Sequence, residues 1–319
     1  MKKKNYAPLC IFLWKKDHLV EKVLNRIITL KEFKETKIYI FVDYSKKKSA
    51  TYKNSINLIN KLDKYKIYKN IKFIFRKKNF GLSKNIIQGV QQVVNKHKKV
   101  IVLEDDLLVG NDFLSYLNSA LNEYKDNKSV ISISAFNHSS YKKFINKNYK
   151  YDNFFCLRVS SWGWATWNDR WRLFSKKISI DEIKKNRKKI IKNLGLDVYL
   201  SLIRINLKKH NLWAANFCFV ALKNNLFTSY PVRSRISNIG FDGSGQGGFS
   251  KKYKNNLNLK IKKKYFFNKN ISSYGLNVFE FIKIFNRNHI IQYIKFYLPD
   301  KFKLFLKSIY KIFINLNDN

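Results

Sequence analysis

Glu104, Asp105 and Asp106 stand side by side at the end of an apolar run, in the segment KKVIVLEDDLLVGNDFLSYL (98–117). Adjacent carboxylates repel one another, and each is harder to ionise unless a cation or hydrogen bonds offset the repulsion. Two chemistries answer that. A hard divalent cation such as Mn²⁺ or Mg²⁺ prefers oxygen ligands, and commonly takes one or two carboxylates with phosphate oxygens completing its shell. At a strand end such an ion could bridge a nucleotide diphosphate and neutralise charge on the leaving group. The plainer alternative is a solvated turn in which Asp105 or Glu104 accepts backbone N–H groups. Taken alone, the triplet leaves both open.

The rest of the composition is opposite in sign. Lys and Arg number 64 against 21 Asp and Glu, a formal net charge of +43. Such a field favours anionic partners: phosphorylated metabolites, a membrane face or nucleic acid. The lysines are scattered as well as clustered, so part of the excess is compositional. Other chemistries find little support. The histidines, His18, His97, His138, His210 and His289, have no metal-ligand spacing. Cys10, Cys156 and Cys218 are odd in number and far apart, and read as small core residues in a reducing compartment. The Gly-rich DGSGQGG (242–248) does not sit between a strand and a helix as a phosphate loop would.

The elements that must position the acids follow from periodicity. APLCIFLW (7–14), KIYIFVD (37–43), IKFIF (71–75), KVIVL (99–103) and SVISISAF (129–136) are short β-rich runs. Helical patterns lie between them: one from about Asp17, one with Ile56, Ile59 and Leu62 on its apolar face, and one opening at Ser83 as N-cap. Another starts after Asn111 as N-cap. Strand–helix–strand repeats imply right-handed crossovers and an α/β fold with a mostly parallel sheet flanked by helices. Ligands of such sheets sit beyond the carboxyl ends of the strands. Asp43 ends the second run and the acidic triplet ends the fourth, so both fall on that rim.

Past residue 150 the pattern loosens. CLRVSSWGWATWNDRW (156–171) holds four of the six tryptophans, 176–193 reads as a Lys-rich helical lobe, and 227–248 as a strand followed by a flexible loop. Residues 278–315 alternate Ile and Phe with Lys in a helical pattern broken by Pro299.

Several blocks in register carry a family resemblance: VIVLEDDLLVGNDFLSYLNSALNEYKDNKSVISISAFN, NFGLSKNIIQGV (79–90), SSWGWATWNDRW (160–171) and YPVRSRISNIGFDGSG (230–245). Together they resemble the GT-A fold glycosyltransferases of the N-acetylglucosaminyltransferase I type and the bacterial sugar transferases related to it, over residues 7 to about 248. The resemblance implies a Rossmann-like nucleotide-diphospho-sugar transferase fold, with residues 1–136 holding the nucleotide sugar, 137–248 forming the acceptor and loop part, and 249–319 a basic amphipathic C-terminal region. It implies that Asp106 ligates Mn²⁺ or Mg²⁺, that Asp105 and Glu104 contact the donor's sugar or ribose, that Asp43 reads the uracil ring, and that Lys84 faces the donor. Trp162, Gly163 and Trp164 resemble the floor and wall of the acceptor site. The partners implied are a nucleotide-sugar donor, UDP-linked, and a glycan or lipid-linked glycan acceptor, with transfer to a bacterial surface glycan such as lipopolysaccharide or capsule and an inverting reaction.

The match departs from the family in three places. An inverting transferase needs a general base near the acceptor hydroxyl. The family's acids are replaced by Ala214 and Ala215 in LWAANFCF (212–219). Asp242 is the first substitute, followed by Asp169 and Asp197. Gln246 and Gly247 stand where the bacterial relatives carry a His. The Arg common after the first strand is absent, so Lys15 or Lys16 would take its place beside the nucleotide, as point charges without a bidentate fork.

The N-terminal apolar run (7–14) is too short for a secretion signal or a bilayer span, so the expected location is the cytoplasm. The basic, aromatic tail offers peripheral contact with the inner face of the membrane. The rival expectation is a non-catalytic basic protein binding nucleic acid or membrane on a decayed transferase fold. No nucleic-acid-binding motif supports nucleic acid as a partner.

Overall fold

The computed structural model describes residues 5–14, 17–44, 52–175, 178–207, 212–241, 255–257 and 261–286. Lys15, Lys16, Asp242, His210, His289, the DGSGQGG segment and the helical pattern beyond residue 286 lie outside them.

Ten strands form among the described residues: β1 (Leu9–Leu13), β2 (Ile38–Val42), β3 (Ile71–Phe75), β4 (Lys99–Glu104), β5 (Leu107–Val109), β6 (Val130–Ser134), β7 (Asn153–Cys156), β8 (Trp164–Trp167), β9 (Phe227–Pro231) and β10 (Ile236–Asn238). Eight of them make one sheet in the order β3-β2-β1-β4-β8-β6-β9-β7, and β5 pairs with β10 in a separate ribbon. The β3-β2-β1-β4 half is parallel throughout, and β9 runs parallel to β6. β8 lies antiparallel between β4 and β6, and β7 antiparallel on the edge. The sheet is thus mostly parallel, as the strand–helix alternation requires. What the alternation did not announce is β8. The tryptophan block WATW is itself a strand, slotted into the middle of the sheet.

The helices are α1 (Asp17–Ile28), α2 (Tyr52–Leu62), α3 (Gly81–His97), α4 (Phe113–Glu123), α5 (Asn168–Trp171), α6 (Ile180–Lys185), α7 (Arg187–Leu194), α8 (Leu196–Asn206), α9 (Trp213–Lys223) and α10 (Val278–Asn286). Strand side chains alternate between faces. Leu9, Ile11, Leu13, Ile38, Ile40 and Val42 pack with α1, α2 and α4 on one face, whereas Cys10, Phe12 and Phe41 pack with α3 and the α5–α9 lobe on the other. Both faces being covered, β1 and β4 read as unbroken apolar runs. Each fully buried aliphatic side chain there contributes roughly 1.5–3 kcal/mol.

Three local expectations change. Ser83 does not cap α3, which begins two residues earlier at Gly81; the Ser83 hydroxyl is buried and accepts the Trp213 backbone N–H at 3.2 Å, tying α3 to α9. α4 is capped not by Asn111 but at Asp112, whose carboxylate serves Arg235 instead of the helix. In α2 the apolar face is set by Leu58 and Leu62, while Ile56 and Ile59 are exposed. Within the C-terminal region, Tyr265 and Phe267 join the first core, and Phe281 and Ile282 of α10 pack with Phe144, Phe154 and Tyr230.

Candidate functional site

The carboxyl ends of β3, β2, β1 and β4 line up on one rim, and β2, β3 and β4 each deliver polar side chains there. Asp43 follows β2 and is buried. Its Oδ1 accepts the backbone N–H of Tyr44 and of Phe80, both at 2.9 Å, while its Oδ2 is buried with no hydrogen-bond partner among the described residues. Arg76 follows β3, with its guanidinium 4.9 Å from the ring centroid of Phe41 and 4.9 Å from that of Phe80. Its Nε donates to Asn85 Oδ1 at 2.8 Å, and its Nη2 is buried without a partner among the described residues. Burial holds the guanidinium below the usual arginine range, and Asp43 pulls the other way. A lone acceptor and a lone donor thus share a rim beside an aromatic face. Buried polar groups in folded proteins are nearly always paired, so these two atoms offer an acceptor and a donor to a bound ligand or water.

The sequence singled out Asp43 but not Arg76, Phe80 or Asn85. The signal was present in RKKNF (76–80), where one Arg precedes two lysines at a strand end. Lys84 lies one turn into α3, exposed, with Nζ 5.1 Å from the Phe80 centroid, so it borders the same patch.

The acidic triplet divides its labour. Glu104 is the last residue of β4, in register with Phe12 of β1. Asp105 is buried, and its Oδ2 accepts the backbone N–H of Trp14 at 2.8 Å, locking the exit of β1 to that of β4. Asp106 is half-buried in the turn just before β5. Its carbonyl accepts the N–H of Ile239 at 2.9 Å, and its carboxylate packs against Gly240, where an added Cβ would lie 2.3 Å from Oδ2. The β5–β10 ribbon therefore presses the Asp106 carboxylate against bare backbone. Among the described residues no three His, Cys, Asp or Glu side chains converge as a metal cage. The donor set fits Mn²⁺ or Mg²⁺ in another way: a carboxylate oxygen with ligand phosphates completing the shell.

A cavity of about 290 Å³ opens beyond this rim, lined by Phe136, Trp162, Phe241, Asp197, Ala214 and Ala215 among others. Trp162 stands edge-on to Phe136 (4.7 Å, 71°) and to Phe241 (5.8 Å, 64°). Its two neighbours in the expected acceptor block do otherwise. Trp164 is fully buried among Trp171, Trp213 and Phe217, a core position with no face left for a sugar. Gly163 has φ +63, and an added Cβ would meet Ile236 Cδ1 at 2.7 Å, so its missing side chain admits β10 and not a ligand.

Of the candidate bases, Asp197 lines the cavity. It is held by Arg158, Nη1 to Oδ1 at 2.9 Å and Nη2 to Oδ2 at 2.6 Å. Burial works against the Arg158 charge, but Asp197 more than offsets it and raises the guanidinium above its usual range. Asp169 is excluded by position. It follows β8, whose last residue, Trp167, pairs with Lys99 at the amino end of β4, and it is bound by Lys128 (2.5 Å) and Arg170 (2.9 Å). That is the opposite rim of the sheet from Asp106.

The chain belongs to the GNT-I family, the N-acetylglucosaminyltransferase I type, whose sequence profile matches residues 1–180. No curated protein sequence matches it. Similar solved structures include the mannosyltransferase PcManGT of Pyrobaculum calidifontis in complex with GDP-Man and Mn²⁺, at 9% identity over 53% of this chain and 46% of that one, TM-score 0.37. GalNAc-T7 with UDP, GalNAc and Mn²⁺ is 10% identical over 78% and 46%, TM-score 0.49. TarS of S. aureus in complex with UDP-GlcNAc is 12% identical over 72% and 57%, TM-score 0.44. The chain spans about half the length of these proteins. Among the described residues no helix is long and apolar enough to cross a membrane.

Proposed function

We propose that the chain is a metal-dependent glycosyltransferase that moves a sugar from a UDP-linked donor to a glycan acceptor, in the cytoplasm, building a bacterial surface glycan such as lipopolysaccharide or capsule. The observation that carries the reading is the rim itself. The unpaired Asp43 and Arg76 atoms lie at the ends of β2 and β3, and Asp106 follows β4, two strands from β2 in the sheet order. Strand spacing puts the ends of β2 and β4 about 10 Å apart, a gap that a nucleoside diphosphate bridges from base to phosphates.

In this reading Asp43 and Arg76 hold the edge of the base, with Phe80 and Lys84 beside it. Asp106 and Glu104 face the diphosphate, and the cation bound there supplies charge neutralisation for the leaving group. The ring of Trp162 positions the acceptor in the cavity beside it. Asp197 is the carboxylate within that cavity, and its bidentate pairing with Arg158 fixes it in place to orient an acceptor hydroxyl. Phe279 and Tyr274, both exposed and close in sequence to Lys283, support a peripheral membrane contact near α10.

Calorimetric titration of UDP-sugars with and without Mn²⁺, on wild type and Asp106→Ala, tests the proposal. Mn²⁺-dependent binding that vanishes in the variant supports it. No binding of any nucleotide sugar by the wild type overturns it.

A further inference from the structure

A second and larger cavity lies outside the site just described. It measures about 850 Å³ and is walled by the 141–152 segment, the turn after β9 and the stretch around Lys262. That volume is in the range of small-molecule sites, about 300–1,000 Å³. The charges around it do not cancel. Its two acids are both committed, Asp112 to Arg235 at 3.1 Å and Asp152 to Lys262 at 2.5 Å. Lys142, Lys147 and Arg233 remain, all exposed at the mouth and with no acidic partner among the described residues.

The walls are aromatic as well as basic. Tyr141, Tyr149 and Tyr151 contribute to the lining. Tyr149 is fixed, donating its hydroxyl to Asn153 O at 2.7 Å, and Tyr151 is braced by stacking on Phe266 at 5.2 Å and 17°. Rigid aromatic faces with a few polar groups and unpaired cations at the mouth suit a ring-shaped ligand that is hydroxylated and negatively charged. The cavity also has a fixed relation to the smaller one. Tyr230 of β9 lines the cavity that holds Trp162, and Val232, just past the strand, lines this one. The Asn137 amide clamps the join by donating to Val232 O at 2.8 Å. One saccharide chain could pass from one to the other across the end of β9.

From this we infer that the acceptor is an acidic saccharide, bearing carboxylate or phosphate, and that the tyrosine-lined cavity binds one of its anionic units. The inference rests on the transferase reading, whose acceptor class it names.

The test is calorimetry at about 0.15 M salt, where the long-range field is screened beyond about 8 Å. The probes are tetragalacturonate for carboxylate, mannose 6-phosphate for phosphate, neutral maltotetraose, and an oligouridylate. At least one acidic sugar should bind roughly tenfold tighter than maltotetraose and lose about that factor in Lys147→Ala/Arg233→Ala. The charge-matched Lys69→Ala/Lys72→Ala control, at β3 on the opposite half of the sheet, should bind as wild type does. Whichever of the two acidic sugars responds identifies the anionic group. Equal losses in the control, equal binding of maltotetraose, no binding of either acidic sugar, or oligouridylate binding that needs Lys147 and Arg233 would each overturn the inference. UDP-sugar binding with Mn²⁺ is read on the same variants. It should be unchanged in Lys147→Ala/Arg233→Ala, and its absence from the wild type would strike the transferase reading instead.

Discussion

Gly240 sits so close to Asp106 that a β-carbon placed on it would lie 2.3 Å from Asp106 Oδ2 and 2.8 Å from Asp106 Cβ. The contact joins the acidic triplet to the far end of the β5–β10 ribbon, more than 130 residues later in the chain. It also says what Gly240 is for: any side chain there must push the carboxylate out of place. The Gly240→Ala variant should therefore weaken Mn²⁺-dependent UDP-sugar binding by roughly 10–100-fold, the usual cost of disturbing a group that orients a metal ligand. Calorimetry on a variant with an unchanged thermal midpoint decides it. Full-strength metal-dependent binding would mean that Asp106 does not hold the cation.

The Asp43–Arg76 pair makes a separable prediction, because it is proposed to meet the base and not the phosphates. Asp43→Asn keeps the shape but alters the acceptor at Oδ2, and Arg76→Lys removes the flat group between Phe41 and Phe80. Each should reduce the affinity for uridine, measured without metal, by about 1–3 kcal/mol, the range for leaving a buried polar group unsatisfied. Asp106→Ala should leave that metal-free binding intact. If Asp43→Asn and Asp106→Ala instead weaken the same metal-dependent component equally, the two acids do not divide base from phosphate.

The parallel half of the sheet was legible because β1, β2 and β4 are largely buried on both faces, so they read as apolar runs, and β3 keeps the β-rich composition of an edge strand. β1, β2, β3, β4 and β6 all fall inside the apolar runs that mark them, apart from one residue at the end of β4. The rim acids were legible for the same reason, since polar residues that end apolar strands stand out. Within the tryptophan block Trp164 proved to be core, because burial of aromatics looks alike whether the partner is a sugar or a helix. Only the insertion of β8 between β4 and β6, a pairing between distant segments, shows that Trp164 faces α9. Arg76 went unseen for a different reason. In a chain with 64 basic residues one more cation carries no contrast, and what distinguishes it is two aromatic rings brought from 35 residues upstream and four downstream. Ser83 and Asn111 were plausible caps by type, but tertiary hydrogen bonds took the buried Ser83 hydroxyl, and Asp112 holds the α4 start.

Asp169 and Asp197 were equal candidates in sequence and are unequal in space. Asp169→Asn should leave transfer activity unchanged and cost about 1–3 kcal/mol of stability, since Lys128 is exposed whereas Arg170 is buried and keeps the carbonyls of Tyr124, Lys125 and Asn127. Asp197→Asn leaves the largely buried Arg158 short of its counter-charge, and should cost up to about 3–5 kcal/mol. Because such a loss could mimic a catalytic defect, activity is to be compared with Asp197→Glu, which restores the charge. Activity returning with charge and stability assigns Asp197 a structural role. Stability returning without activity supports placement of the acceptor hydroxyl by that carboxylate.

Asp112 sets a pH dependence whose sign can be worked out. Burial raises its pKa, against the lowering pull of Arg235 and of the Tyr265 hydroxyl bonded to the same oxygen. Tyr116, stacked 4.0 Å from the Arg235 guanidinium, adds bulk and no compensating charge, since burial keeps its phenol protonated. The unfolded chain releases the Asp112 proton near pH 4, whereas the folded chain keeps it to higher pH. Across that window the folded state binds more protons than the unfolded state, so this group's contribution to stability falls as pH rises. Asp112→Asn has no such proton to lose. Urea unfolding of wild type and variant at several pH values from about 4 upward should show the wild type losing ground relative to the variant as pH rises. A gap that widens in favour of the wild type would mean that Arg235 outweighs burial and that Asp112 is a stabilised carboxylate throughout.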